Sequence, residues 1–181
     1  MRTAVALFAF GACALSVANA VAAGASGSTS CTVDGKPWEV KQPVTAIVAT
    51  KPLFGTHLTI NVWGATKTEL PYLQITAQWK LLKGQSNTTL KAKNAGAEGP
   101  LEAMWLESAQ PAPSPSEPQP GLHYLEKGEL KLIKHDEGAE TLTLKVDFTM
   151  REGASDRAAQ NAGHHKVDVR CTLDAIPLKV F

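Results

Sequence analysis

The sequence lacks the short motifs that mark common catalytic and cofactor sites. It has no Gly-x-Ser-x-Gly, no catalytic cysteine placed with a histidine and none of the usual zinc-ligand spacings. Its histidines are few and scattered: His57, His123, His135, His164 and His165. A catalytic triad would have to be assembled by the fold alone. We therefore expect neither an enzyme nor a bound cofactor, with a hydrolase whose site is dispersed in the sequence as an alternative.

The sequence also lacks a long apolar run beyond its first twenty or so residues, so we expect no integral membrane segment after processing. The first residues combine one positive charge at Arg2, an apolar run over 4–17 and the small residues Ala18-Asn19-Ala20. That layout is typical of a cleaved secretory signal, and residues 1–23 are predicted to be one. Small residues also precede Cys13, so a lipoprotein anchored at Cys13 is the alternative. The expected location is periplasmic or secreted.

The expected mature chain has no net charge. Removing Arg2 with the signal reduces the 18 basic residues to 17, which balance 17 acidic ones. A neutral surface does not attract phosphate backbones in general, so nucleic acid is not an expected partner. No basic amphipathic stretch suggests binding to a membrane surface either.

Cysteine is scarce, and the mature chain keeps only Cys31 and Cys171 of the three cysteines. Exported chains meet an oxidising compartment, where such a pair usually joins. We predict a disulfide that ties the first strand to one of the last, and two free buried thiols are the alternative.

The mature length suits a single domain with its own hydrophobic core. Residues 24–30 have the composition of a flexible leader, and residues 31–181 are predicted to form one β-rich domain. Residues 110–121 alternate proline with small or polar residues, which is typical of an extended loop. A linker between two domains is disfavoured because a cysteine lies on each side and neither flank is long enough to hold a core.

Alternation of apolar and polar residues predicts an all-β, mostly antiparallel fold. The clearest strand covers 141–150, and Asp34-Gly35 predicts a tight hairpin with Pro37 at a sheet edge. Residues 100–109 fit a helix or a strand, and the strand is favoured. Further strands are predicted at 44–50, 57–63, 73–79, 87–93, 122–125, 129–135 and 167–173. These elements indicate a β-sandwich or small barrel with at most one or two short helices.

Two tryptophans are the candidate binding residues. Trp63 falls on the more polar face of its strand, and Trp105, in a strand, shares a face with Ala103 and Glu107. A large aromatic side chain on an exposed face can anchor a partner. The alternative is that the proline-rich loop covers it, since tryptophan is mostly buried.

The strongest metal candidates, although weak, are His164 and His165, with Asp156, Asp168 or His135 nearby. Adjacent histidines on a strand point to opposite faces, so both could bind one ion only from a loop. A solvated polar loop is the more ordinary interpretation, and no metal is expected.

The function that the sequence favours is non-enzymatic binding of another protein, as by an inhibitor or an immunity-like protein of the bacterial envelope. This rests on size, compartment and the lack of catalytic chemistry. A periplasmic small-ligand or metal-binding protein is the first alternative, and the hydrolase is the second. The sequence leaves the oligomeric state open.

Overall fold

The computed structural model describes residues 27–51, 55–66, 68–92, 99–107, 120–152 and 165–181. The predicted signal peptide, Cys13, most of the predicted leader and residues 108–119 of the proline-rich segment lie outside the described residues. His164 and Asp156 lie outside them as well.

Strands form most of the described chain. They are β1 Ser28–Val33, β2 Lys36–Trp38, β3 Thr45–Lys51, β4 Gly55–Trp63, β5 Tyr72–Gln78, β6 Thr88–Lys91, β7 Leu101–Leu106, β8 Leu122–Asp136, β9 Thr141–Glu152 and β10 Lys166–Val180. A 3-10 turn at Trp79–Leu81 is the one helical element of the described residues, and the all-β prediction is confirmed. No described helix has the length and hydropathy needed to cross a membrane.

Seven of the strands close into a barrel. Of the two predicted architectures, sandwich and small barrel, the fold is therefore the barrel. Around it the order is β3-β4-β5-β7-β8-β9-β10, and every neighbouring pair but one is antiparallel. The exception is the closing pair, in which Leu178 to Val180 of β10 run parallel to Ala46 to Val48 of β3. The β1–β2 hairpin extends from β10, and β6 pairs with β8.

The core follows the predicted alternation. On β9, one face is fully buried, at Leu142, Leu144, Val146, Phe148 and Met150. Corresponding faces of β4, β5 and β10 join the same cluster, and removal of this apolar surface from water is the main stabilising contribution. The other face of each strand points out of the barrel.

Cys31 and Cys171 face each other across the antiparallel β1–β10 pair and form the predicted disulfide. The pair joins the hairpin to the barrel wall across 140 positions of sequence. The hairpin turn itself has positive φ at Asp34 (49°) and Gly35 (75°), as the Asp-Gly signal predicted.

One boundary prediction was wrong. β1 begins at Ser28, so residues 28–30 belong to the sheet and not to the leader. Their backbone pairs with Thr172 to Asp174 of β10. Backbone hydrogen bonding does not require apolar side chains, and composition therefore missed these residues.

The strand favoured for residues 100–109 is confirmed over Leu101–Leu106, which form β7, whereas residues 108 and 109 lie outside the described residues. The two short strands predicted at 122–125 and 129–135 are one continuous strand, β8, with an irregularity in its pairing to β9 between Leu125 and Lys127. Gly128, with φ 139°, lies just after this irregularity, and β8 stays paired with β9 there.

Candidate functional site

Trp63 is exposed, as predicted. It is the last residue of β4, and 38% of it is accessible to solvent. Leu58, Ile60 and Val62 of the same strand are buried, so alternation directs Trp63 out of the barrel.

Trp63 is held in place by a neighbour on β5. Its indole stacks on the ring of Tyr72, with centroids 4.0 Å apart and planes at 26°. The Tyr72 hydroxyl donates to Asn61 Oδ1 over 2.8 Å, and Gln74 Nε2 donates to the Tyr72 hydroxyl oxygen over 2.9 Å. Burial raises the pKa of the Tyr72 hydroxyl above its ordinary value, against the opposing hydrogen bond from Gln74. The hydroxyl therefore stays a donor, and its two hydrogen bonds hold the ring on which Trp63 stacks.

Strand register extends this pair into a surface. Trp63 lies opposite Tyr72, Tyr72 opposite Leu106, and Leu106 opposite Leu122. In the next row, Met104 of β7 lies opposite Tyr124 of β8, which is 36% exposed. We call this surface the aromatic face, and it consists of Trp63, Tyr72, Met104, Leu106, Leu122 and Tyr124. It consists of apolar and aromatic groups across four adjacent strands, in which Trp63 and Tyr124 are exposed and Tyr72 is buried.

Charged side chains border the aromatic face where it meets β9. Tyr124 lies opposite Arg151, and Arg151 lies opposite Lys166. Both cations contact the carboxylate of Glu126, Lys166 Nζ at 3.2 Å from Oε1. Burial alone would raise the pKa of Glu126, but hydrogen bonds from Lys166 and Arg151 outweigh it and hold that pKa below its ordinary value. The border of the aromatic face is therefore an ion-paired group in which two cations contact one carboxylate.

Trp105 is not on an exposed face, and that expectation is corrected. Only 1% of it is accessible, and its ring packs edge-on against Trp38 with centroids 4.9 Å apart. The prediction placed Trp105 on an exposed face because it shares that face with the charged Glu107. Register with β5 and β8 instead places Leu101, Ala103 and Trp105 inside the barrel. Trp105 is a core residue.

A second feature lies at the same end of the barrel. Glu107 follows β7, His123 is the second residue of β8, and His165 precedes β10. One potential ligand atom from each of these side chains lies within 4.8 Å of the others. His123 is completely buried, whereas Glu107 and His165 are exposed. The cluster therefore opens to solvent on one side.

The structure separates His165 from the companions predicted for it. His135 packs edge-on against Trp79, and Asp168 Oδ1 accepts a hydrogen bond from Thr149. His165 instead contacts His123, 42 positions away. The His164–His165 pairing stays a prediction because His164 lies outside the described residues.

An open cavity of about 420 Å³ lies elsewhere on the wall, beside the disulfide. Long charged side chains line much of it, and Arg170 Nε donates to Asp147 there over 3.2 Å. Pockets for small organic ligands are mostly apolar and enclosed. This cavity is open and has charged side chains around it, so it gives little support to a small-ligand carrier.

Tyr72, Tyr124, Glu107 and His123 were not among the candidates chosen from the sequence. Tyr72 directly follows Pro71, and its position beside Trp63 depends on the β4–β5 register. Glu107 and His123 flank the proline-rich segment, and only the β7–β8 pairing brings them together. Alternation on paired strands could have found Tyr72, but nothing local signals the histidine cluster.

The comparisons with known proteins leave the function to be argued from these two features. Fold alone does not assign an activity, so the geometry of the site has to do so. No protein-family model, curated protein or solved structure matches this chain.

Proposed function

We propose that this chain is an exported binding protein that recognises another protein through the aromatic face. The observation that carries the proposal is Trp63, 38% exposed and yet fixed by its stack on Tyr72. An ordered aromatic side chain loses little conformational freedom on binding, which makes it an effective anchor.

The composition of the surface supports a protein partner. Tryptophan, tyrosine, methionine and arginine are enriched at protein–protein interfaces, and the aromatic face has the first three with Arg151 at its border. A partner that presents an apolar patch with polar groups around it fits this surface, because interfaces combine an apolar centre with a polar rim. We propose an inhibitor or an immunity-like protein as the role.

Export is part of the same proposal. A nearly buried disulfide between two strands persists in an oxidising compartment, which supports the periplasm or the medium as the location. Anchoring at Cys13 as a lipoprotein is the alternative.

The test begins with capture of the partner. A photoreactive residue replaces Thr59, which lies outward on β4 two strand-face positions from Trp63, and cross-linking is done in cells. A captured protein is purified and its affinity measured by calorimetry with the wild type and three variants. Trp63→Ala should weaken binding at least about tenfold, a typical anchor effect. Trp63→Phe should weaken it less.

The matched control is Leu81→Ala, because Leu81 is also 38% exposed but lies in the 3-10 turn. Its affinity should equal that of the wild type. Equal affinities for Trp63→Ala and wild type, or failure of Thr59 to cross-link to any protein, would contradict the proposal. Cross-linking to a second copy of the chain, with a matching dimer in sedimentation, would replace it with self-association.

A further inference from the structure

We propose that Glu107, His123 and His165 form a binding site for a divalent first-row transition-metal ion, with Zn²⁺ as the probe. The site is distinct from the aromatic face and does not depend on the proposed function. Three features of the structure support it: the convergence of the strands, the orientation of His123 and the spacing of the ligand atoms.

Backbone pairing brings the three residues to one place. Glu107 N–H donates to the carbonyl oxygen of Gly121 over 2.9 Å, which fixes the residue after β7 next to the start of β8. His123 lies opposite Glu152 of β9, and Glu152 N–H donates to the carbonyl oxygen of His165 over 3.1 Å. The convergence is therefore set by the barrel wall and not by flexible side chains.

The orientation of His123 leaves one ring nitrogen available as a ligand. Its Nδ1 lies 3.2 Å from the carbonyl oxygen of Gly121, and a carbonyl can only accept. The Nδ1 atom must therefore carry the hydrogen, and in the neutral ring Nε2 has a free lone pair. A backbone carbonyl that holds the other nitrogen of a histidine ligand is a common outer contact in metal sites.

That outer contact is itself supported. Gly121 N–H donates to Glu152 Oε1 over 2.9 Å, so a β9 carboxylate positions the peptide that positions His123. Complete burial of His123 adds to the constraint, since the ring cannot turn outward to water. A buried histidine with one fixed nitrogen directs the other at a definite neighbour.

That neighbour is His165. His123 Nε2 and His165 Nδ1 are 3.4 Å apart. Two nitrogen ligands at 2.0–2.1 Å from a tetrahedral ion are separated by about 3.3 Å, so one ion fits between these two atoms with little movement. The exposed carboxylate of Glu107, within 4.8 Å, is the third ligand, and the fourth position faces solvent.

The chemistry of the ligands selects the class of ion. Two imidazoles and one carboxylate suit Zn²⁺, Co²⁺, Ni²⁺ and Cu²⁺, whereas Ca²⁺ and Mg²⁺ prefer oxygen ligands alone. The negative charge of Glu107 also offsets part of the charge of the ion.

The test uses the tag-free full-length protein, stripped with a chelator and titrated with Zn²⁺ by calorimetry. The wild type should bind one ion, and Ca²⁺ should give no heat of binding. Substituting Co²⁺ should give the intense visible absorption of a tetrahedral site. His165→Ala and His123→Gln should each weaken Zn²⁺ binding at least about tenfold, the range seen even for outer contacts of metal sites. Glu107→Gln should weaken it less.

His57→Ala is the matched control, because His57 Nδ1 also lies 3.2 Å from the carbonyl oxygen two residues before it. It should bind Zn²⁺ as the wild type does. Since His123 is buried, circular dichroism must show that His123→Gln is folded, and the exposed His165→Ala tests the site if it is not. Unchanged affinity in His165→Ala would overturn the proposal. Loss of Zn²⁺ binding in His164→Ala, together with unchanged Zn²⁺ binding in a folded His123→Gln variant, would also overturn the proposal.

Discussion

Trp63 and Trp105 show how much the surroundings of one residue type decide its role. They lie on strands separated only by β5, yet one side chain points into solvent and the other into the core. Trp63 gains a stack with Tyr72, which contributes stability mainly as one aromatic pair. Trp105 fills the interior and packs against Trp38, so its removal would leave a cavity.

The two surroundings predict that Trp105 contributes mainly to stability and Trp63 mainly to binding. Trp105→Ala should lower the free energy of unfolding by about 3–5 kcal/mol, as large-to-small changes in cores do. Trp63→Ala should lower it by only about 0.5–1.5 kcal/mol, the value of an aromatic pair. Urea denaturation followed by circular dichroism measures both. Similar losses in the two variants would contradict the assignment of Trp63 as a surface anchor.

The error over Trp105 has a physical cause at the same scale. Alternation shows which residues share a face of a strand but not which face points into the core. In β7 the face with Met104 and Leu106 is as apolar as the face with Ala103 and Trp105, so the sequence does not distinguish them. The partners of β7 decide the matter, because Leu73 and His123 lie opposite Trp105 and both are buried. The histidine cluster was missed for the same reason, since it exists only once the register is set.

Among the elements, β8 has an irregularity in which a glycine takes part. It runs unbroken from Leu122 to Asp136, and its pairing with β9 shifts between Leu125 and Lys127. Gly128, next to the shift, has φ 139°, and a Cβ added there would lie 2.2 Å from the carbonyl oxygen of Asp147. Its own carbonyl accepts a hydrogen bond from Ala92 over 2.9 Å. Only glycine allows β8 to stay this close to β9.

A methyl group at this position should therefore be costly. Gly128→Ala should destabilise the fold by at least about 1–3 kcal/mol, because both the dihedral angle and the close approach are unfavourable. Gly138→Ala is the control, since its added Cβ would lie 3.7 Å from Asp136 Oδ1, an ordinary contact. That change should stay within about 0.5 kcal/mol. Thermal denaturation compares the two, and equal melting temperatures would show that β8 accommodates the methyl group.

Local signals predicted the elements that depend on local chemistry. The Asp-Gly turn of the β1–β2 hairpin and the alternating strand β9 were both found from the sequence. The continuity of β8 was not found from the sequence. Glycine in a strand usually marks an interruption, whereas β8 continues through Gly128. The shape of β8 depends on its pairing with β9, so its own residues do not predict it fully.

At the scale of the molecule, the disulfide holds the hairpin to the barrel. β1 lies outside the closed ring of seven strands, so the ring pairs completely without it. Cross-linking positions 140 apart restricts the unfolded chain strongly, and the chain-entropy model gives about 5 kcal/mol for a loop of this length.

Removal of the disulfide should weaken the fold without changing its class. A Cys31→Ala/Cys171→Ala variant should lose up to about 5 kcal/mol in urea denaturation, yet keep a β-type circular dichroism spectrum. The wild type measured with a reducing agent is the control and should approach the variant. A variant as stable as the oxidised wild type would show that the cross-link contributes nothing to the unfolding free energy.

The cysteine pairing could be predicted from the two cysteines and the expected oxidising compartment. The all-β class could be predicted from the alternation of apolar and polar residues. Closure into a barrel could not. It depends on the parallel contact of Leu178 to Val180 with β3, and parallel pairing leaves no turn residues between the two strands to reveal it.

That parallel contact also determines when the molecule can take shape. β10 is the last of the ten described strands to leave the ribosome. It supplies the second partner of β3 and of β9, and it joins the hairpin that carries Cys31 to the barrel. Earlier strands can form hairpins with one another, but the ring has a gap until β10 arrives. A polypeptide built in this way cannot close its barrel until synthesis reaches β10, which is compatible with the export that we propose.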